Sequence, residues 1–126
     1  MKKKILVCDD NVDIADVLKI ILEGGGYEVK VLNEGRNILK EVKQFNPNLL
    51  LLDIMLPGID GKEISLKLKS DKETKKLPII VISALNNPKQ VAKEAGADGF
   101  IAKPFDMQTL LIKVNGCLGK QQAVLH

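Results

Sequence analysis

Four consecutive leucines, Leu49 to Leu52, closed by Asp53, constrain this chain more than any other feature. The run does not alternate, so a strand built from it needs apolar cover on both faces, as a central parallel strand has. Its neighbours in sequence fit the same sheet. Lys4 to Cys8 (KILVC) and Pro78 to Ile82 (PIIVI) are short apolar runs, and Asp98 to Ala102 is a short last strand. Tyr27 to Leu32 alternates through Tyr27, Val29 and Val31, the pattern of a half-buried strand.

Helical spacing fills the gaps. Ile14, Val17, Leu18, Ile21 and Leu22 form a stripe over Val12 to Leu22, which Gly24-Gly25-Gly26 stops. Ile38, Leu39, Val42 and Phe45 form a second stripe, ended by Asn46-Pro47. Dense turn chemistry follows at Leu56-Pro57-Gly58 and Asp60-Gly61. A third helix carries Ile64, Leu66 and Leu68 and runs to about Ser70; a fourth covers Pro88 to Ala95, with Gly96 as its stop. A fifth, Asp106 to Leu118, turns Leu110, Leu111 and Val114 inward.

Five strands alternating with five helices predict an α/β fold: a flavodoxin-like, doubly wound, five-stranded parallel sheet with helices on two faces. At 126 residues one domain is expected, and the order 2-1-3-4-5 suits that length. A hydrophobic share of 45% and a charged share of 28% are globular proportions. The net charge of +3 is too small to point to nucleic acid. The apolar stretch from Leu49, past Asp53, to Leu56 falls far short of the roughly 20 residues that cross a bilayer. Met1-Lys2-Lys3-Lys4 leads into too short an apolar run for a signal peptide. Cys8 and Cys117 make no metal spacing, and a reduced, cytoplasmic protein is expected.

In sheets of this kind ligands bind at the carboxyl ends of the strands, near the point where strand order reverses. The polar residues at those ends are Asp9 and Asp10 after the first strand, Asp53 after the third, Ser83 after the fourth and Lys103 after the fifth. Three carboxylates, a hydroxyl and an ammonium should converge at one rim. Asp53 leaves a largely dehydrated strand, so its charge needs solvent, a cation or hydrogen-bond donors. Asp9 and Asp10 add like charge. A divalent cation such as Mg²⁺, which takes one or two carboxylates and keeps places for water and phosphate, offsets that repulsion. A plain Lys103–Asp salt bridge is the alternative, but it leaves Ser83 and the third carboxylate unexplained. His126 is the only histidine, so Ser–His or Cys–His chemistry lacks a base. The glycines near residue 25 do not follow the first strand and make no dinucleotide fingerprint.

Four segments together resemble the receiver domain of two-component response regulators. They are Ile5-Leu6-Val7-Cys8-Asp9-Asp10, Asp53-Ile54-Met55-Leu56-Pro57-Gly58-Ile59-Asp60-Gly61, Ile79-Ile80-Val81-Ile82-Ser83-Ala84, and Ala95-Gly96-Ala97-Asp98-Gly99-Phe100-Ile101-Ala102-Lys103-Pro104-Phe105. The resemblance covers the chain to about Leu118, giving a receiver domain over 1–120 and a short tail over 121–126.

The resemblance implies that Asp53 is the phosphoacceptor, taking a phosphoryl group from the phosphohistidine of a sensor histidine kinase or phosphotransfer protein. It implies Mg²⁺ held by Asp9, Asp10, Asp53 and the backbone carbonyl of Met55, with Lys103 and Ser83 contacting phosphoryl oxygens. A switch follows: Ser83 moves inward, Phe100 rotates behind it, and the face of the fourth helix, fifth strand and fifth helix changes its preference for a downstream effector protein. Phe100 stands where a Tyr is common, so this switch has no hydroxyl. A cis Lys103–Pro104 peptide is also implied. Such a chain is a signalling domain and not a turnover enzyme, a monomer or a weak phosphorylation-dependent dimer, with no direct contact to nucleic acid or membrane. Met55 and Leu85 cannot orient an attacking water, so slow hydrolysis of the acyl phosphate is expected.

Other readings are an excised N-terminal receiver of a larger DNA-binding or enzymatic regulator, a Mg²⁺-dependent phosphatase with an Asp nucleophile, and a binding module that has lost phosphorylation. The phosphatase would want an Asp where Met55 stands. The intact set Asp10, Asp53, Ser83 and Lys103 speaks against the inert module.

Overall fold

The computed structural model describes residues 2–119. Its elements, in chain order, are β1 (Lys4–Cys8), α1 (Val12–Gly24), β2 (Glu28–Leu32), α2 (Ile38–Phe45), β3 (Leu49–Asp53), β4 (Met55–Leu56), β5 (Ile59–Asp60), α3 (Gly61–Ser70), β6 (Ile79–Ser83), α4 (Pro88–Glu94), β7 (Gly99–Ala102) and α5 (Met107–Cys117). The main sheet is five-stranded and parallel in the order β2-β1-β3-β6-β7, the doubly wound order expected from the sequence. The tail over 121–126 lies outside the described residues.

The leucine run behaves as its lack of alternation requires. Leu49 and Leu51 enter one apolar layer with α1 and α5 residues such as Leu18, Leu110 and Val114. Leu50 and Leu52 enter the opposite layer with Val42, Leu68 and Val91. All four leucines are fully buried, which fixes β3 at the centre with helices on both sides. Helix starts are set by side-chain caps: Asn11 Oδ1 accepts from Ile14 N, Asp60 Oδ1 from Lys62 N, and Asp106 Oδ1 from Thr109 N.

Some local readings needed tertiary structure. The turn chemistry after β3 is a small antiparallel hairpin, with Met55 opposite Asp60 and Leu56 opposite Ile59. Gly58 closes it at φ +72°, a conformation that favours glycine. Gly61 then passes so near Ile54 that a Cβ would lie 2.7 Å from the Ile54 Cα. Leu66 is exposed, whereas Ile64 and Leu68 are buried, because residues four apart share a helix face and residues two apart do not. Tyr27 precedes β2 and is buried, with its hydroxyl donating to Asn115 Oδ1 on α5.

Candidate phosphoryl and metal site

Strand register assembles the rim. Cys8 pairs with Leu52, Asp53 with Ile82, and Ser83 with Ala102, so Asp9, Asp53, Ser83 and Lys103 stand side by side at the carboxyl edge. Two of these close a strand and do not follow it: Asp53 is the last residue of β3 and Ser83 of β6. Asp9, Asp53 and Ser83 are buried, and Asp10 is exposed.

Each buried carboxylate is held by the chain that carries it. Asp9 Oδ1 accepts from Asn11 N at 2.9 Å, which also places the cap of α1. Asp53 Oδ1 accepts from Met55 N at 2.9 Å. Asp53 Oδ2 accepts from Lys103 Nζ at 3.1 Å, and the same ammonium lies 3.2 Å from Asp9 Oδ2. Lys103 is steered there by its own amide, which donates to the Ser83 carbonyl at 2.8 Å. The Lys103–Pro104 peptide is cis, as the resemblance implied. The Ser83 hydroxyl accepts from Leu85 N at 3.0 Å, leaving its proton to donate elsewhere.

Sequence reasoning missed Asn33. Its Nδ2 donates to the Asp9 carbonyl at 3.1 Å, while Asp9 N donates to the Leu32 carbonyl, so the end of β2 anchors the Asp9-Asp10 turn from the side. An Asn just past a strand adjacent to β1 was the available signal, and strand order is needed to read it. Phe100 is half-buried on β7, at the sheet's edge, and the side chains of Met55 and Leu85 are exposed near the rim.

The electrostatics are acidic and only partly compensated. Burial raises the Asp9 carboxyl above its ordinary range, helped by the Asp53 charge and opposed by the Asn11 amide and Lys103. Burial pulls the Lys103 ammonium down, but the hydrogen bond and charge of Asp53, with the charge of Asp9, outweigh it and hold Lys103 above the usual lysine value. Burial pushes the Cys8 thiol up to about 12, with the charges of Asp53 and Asp9 adding to the shift, so it is no nucleophile here.

A hard divalent cation fits this set. Carboxylate oxygens of Asp9, Asp10 and Asp53 lie within 4.8 Å of one another. Asp9 Oδ2 is buried and accepts no hydrogen bond, although Lys103 stands at ion-pair distance. A buried carboxylate oxygen that shares one ammonium with Asp53, beside two more carboxylates, is a donor set for Mg²⁺ and not for a soft metal.

These features lead to a stability test. Because the Asp9 pKa is raised, protonation of Asp9 favours the folded chain; that stabilisation is complete below the ordinary Asp value and lost as pH rises through the folded value. At neutral pH the buried Asp9 carboxyl is therefore a cost, and Asp9→Asn should stabilise the metal-free protein by about 1 kcal/mol. The same change should weaken Mg²⁺ at least tenfold. Thermal unfolding with and without Mg²⁺ reads both: the variant melts higher in chelator and loses most of the upward shift that Mg²⁺ gives the parent.

Fold and rim define a flavodoxin-like domain with a carboxylate site at its topological switch point. The chain belongs to the response regulator receiver domain family, whose model matches residues 5–115. Over 120 residues it is 36% identical to the DNA-binding response regulator MtrA of Mycobacterium tuberculosis, covering 94% of this chain and 51% of that protein. It is 40% identical over 116 residues to the CAI-1 autoinducer sensor kinase/phosphatase CqsS of Vibrio cholerae, covering 90% of this chain and 17% of that one. The chain thus spans about half the length of the MtrA proteins it matches. Among solved structures it resembles the chemotaxis response regulator CheY4 of Vibrio cholerae, with 28% identity, a TM-score of 0.86 and coverage of 94% and 100% of the two chains. A CheY-like receiver domain protein of Methanospirillum hungatei gives 32% identity, a TM-score of 0.85 and coverage of 98% and 99%.

Proposed function

We propose that Asp53 is the phosphoacceptor of a two-component signalling protein, taking a phosphoryl group from a phosphohistidine on a sensor histidine kinase or phosphotransfer protein. The observation that carries this reading is the fixed Asp53 carboxylate, with Oδ1 on the Met55 amide and Oδ2 on the Lys103 ammonium, inside a cluster of three acids. A carboxylate oxygen of Asp53 attacks phosphorus, the P–N bond to the donor breaks, and the imidazole leaves with a proton. Asp53 becomes an acyl phosphate.

Phosphoryl transfer is governed mainly by positioning and by neutralising charge on the equatorial oxygens. Lys103 moves from a carboxylate pairing to a phosphoryl oxygen, and Ser83 donates its free proton to another. Asp9 and Asp10, with Asp53 and the Met55 carbonyl, hold Mg²⁺, which supplies positive charge against the repulsion between carboxylate and phosphoryl group. An apolar groove of about 460 Å³, lined in part by Ile14, Val17 and Phe105, opens at Lys103 and offers the donor protein a place to rest.

Phosphorylation then alters the α4–β7–α5 face, to which an effector protein binds. The domain itself contacts no nucleic acid. Among the described residues no helix is long and apolar enough to cross a membrane. A second reading, the receiver of a longer DNA-binding regulator, is favoured by the length of the MtrA relatives and leaves the chemistry at Asp53 unchanged.

Incubation with Mg²⁺ and acetyl phosphate, followed by intact-mass measurement, should add one phosphoryl group, and none to Asp53→Asn or in excess chelator. Uptake that survives Asp53→Asn would overturn the assignment. Once the donor is removed, the label should decay slowly, because Met55 and Leu85 present no polar side-chain group to an attacking water. Loss within seconds, without any partner, would contradict that part.

A further inference from the structure

β7 is an edge strand, and Phe100 is half-buried on it. The ring packs against the apolar layer that holds Val91, Ala92 and Ala95. A residue from the opposite layer also reaches the ring. Lys113, on α5, reaches across the open edge and sets its Nζ 4.2 Å from the centre of the Phe100 ring. Among the described residues no carboxylate lies within ion-pair distance of this ammonium. The aromatic face is its partner.

We propose that Lys113 is a latch on Phe100, a positioning residue that holds the ring in its half-buried place on the edge strand until phosphorylation draws it further inward. The inference rests on the phosphoacceptor reading for what drives the ring, but the latch itself stands on the geometry. Phenylalanine has no hydroxyl with which to hydrogen-bond at the surface, so this half-buried ring can be held only by its faces. An ammonium over a ring does this, since the ring's negative quadrupole attracts it. A pair of this kind at a partly exposed site biases an equilibrium by a factor of roughly 2 to 5. Inward rotation separates ring from ammonium and forfeits that factor. Lys113 therefore raises the threshold at which the site's occupancy is reported at the α4–β7–α5 face.

Reciprocity makes the latch measurable from both ends. Whatever holds the ring in its unphosphorylated place must also oppose the phosphorylated arrangement by the same factor. Lys113→Met keeps a long apolar stem and removes the charge, whereas Lys113→Arg keeps a cation that stacks on aromatic faces.

The test uses the full chain labelled with fluorophenylalanine, with the Phe100 resonance assigned by Phe100→Leu. The H₂O/D₂O shift of that resonance reports how exposed the ring is, and beryllofluoride with Mg²⁺ supplies the occupied reference. In the unphosphorylated chain Lys113→Met should reduce the solvent-isotope shift toward that reference, and Lys113→Arg should match the parent. Phosphoryl uptake at limiting acetyl phosphate should rise 2- to 5-fold in Lys113→Met and not in Lys113→Arg. An unchanged isotope shift in Lys113→Met, with the parent still taking up phosphate, overturns the latch. If no variant takes up phosphate, the phosphoacceptor reading fails, and the isotope shifts still decide whether Lys113 holds the ring.

Discussion

Lys103→Met should reduce phosphoryl uptake from acetyl phosphate by about 10²- to 10³-fold, the usual effect of removing one preorganised partner of a developing anion. Its second effect is on stability. Lys103 is the ammonium that faces both Asp9 and Asp53, whose side chains are 0% and 6% exposed. Removing one member of a buried ionic set leaves the others uncompensated, at a cost of about 3 kcal/mol. That loss should shrink in Mg²⁺, because the divalent charge replaces the missing ammonium. Mg²⁺ should also bind the variant more tightly than the parent, since Lys103 no longer competes for Asp53 Oδ2 and Asp9 Oδ2. Tighter metal binding with slower chemistry separates this account from a plain folding defect. Calorimetric titration of Mg²⁺ beside the uptake assay checks it, and weaker Mg²⁺ binding by the variant would contradict it.

Leu51→Ala should cost about 2–5 kcal/mol, the range for deleting a fully enclosed aliphatic side chain. Leu51 is 0% exposed, lies between β1 and β6, and belongs to the layer under α1 and α5. A strand flanked by strands and covered on both faces has little room to collapse around the void. Urea unfolding should show a lower midpoint with an unchanged slope, and a melting temperature lower by roughly 10 °C. A change below about 1 kcal/mol would mean that the centre of the sheet is looser than its burial indicates.

The same leucine run explains why the fold was legible. Period and the absence of period are properties of the chain, so a run buried on both faces declares itself in sequence. Strand order then followed from handedness and length, and with it the meeting of Asp9, Asp53, Ser83 and Lys103. Less legible were features that depend on one contact. The β4–β5 hairpin is two residues deep on each side and rests on the positive φ of Gly58 and the close pass of Gly61 over Ile54. No periodic signal survives in two residues. Asp9 and Asp10 look equivalent in sequence, yet one is buried and the other exposed, because successive side chains leave a strand end on opposite sides. The tie from Asn33 to the Asp9 carbonyl spans 24 positions and needs β2 beside β1. Lys113 over Phe100 is harder still, since it crosses the edge of the sheet from the opposite layer.

The central claim is that the phosphoryl group resides on the Asp53 carboxyl. Borohydride reduces an acyl phosphate to the alcohol, so the phosphorylated chain, reduced and digested, should carry homoserine at position 53 and unmodified aspartate at 9 and 10. Peptide mass mapping reads this directly. Homoserine at position 53 in the Mg²⁺-treated sample, absent from an untreated one, is the predicted result. Homoserine at 9 or 10, or a phosphate left on Ser83 with Asp53 unreduced, would contradict it.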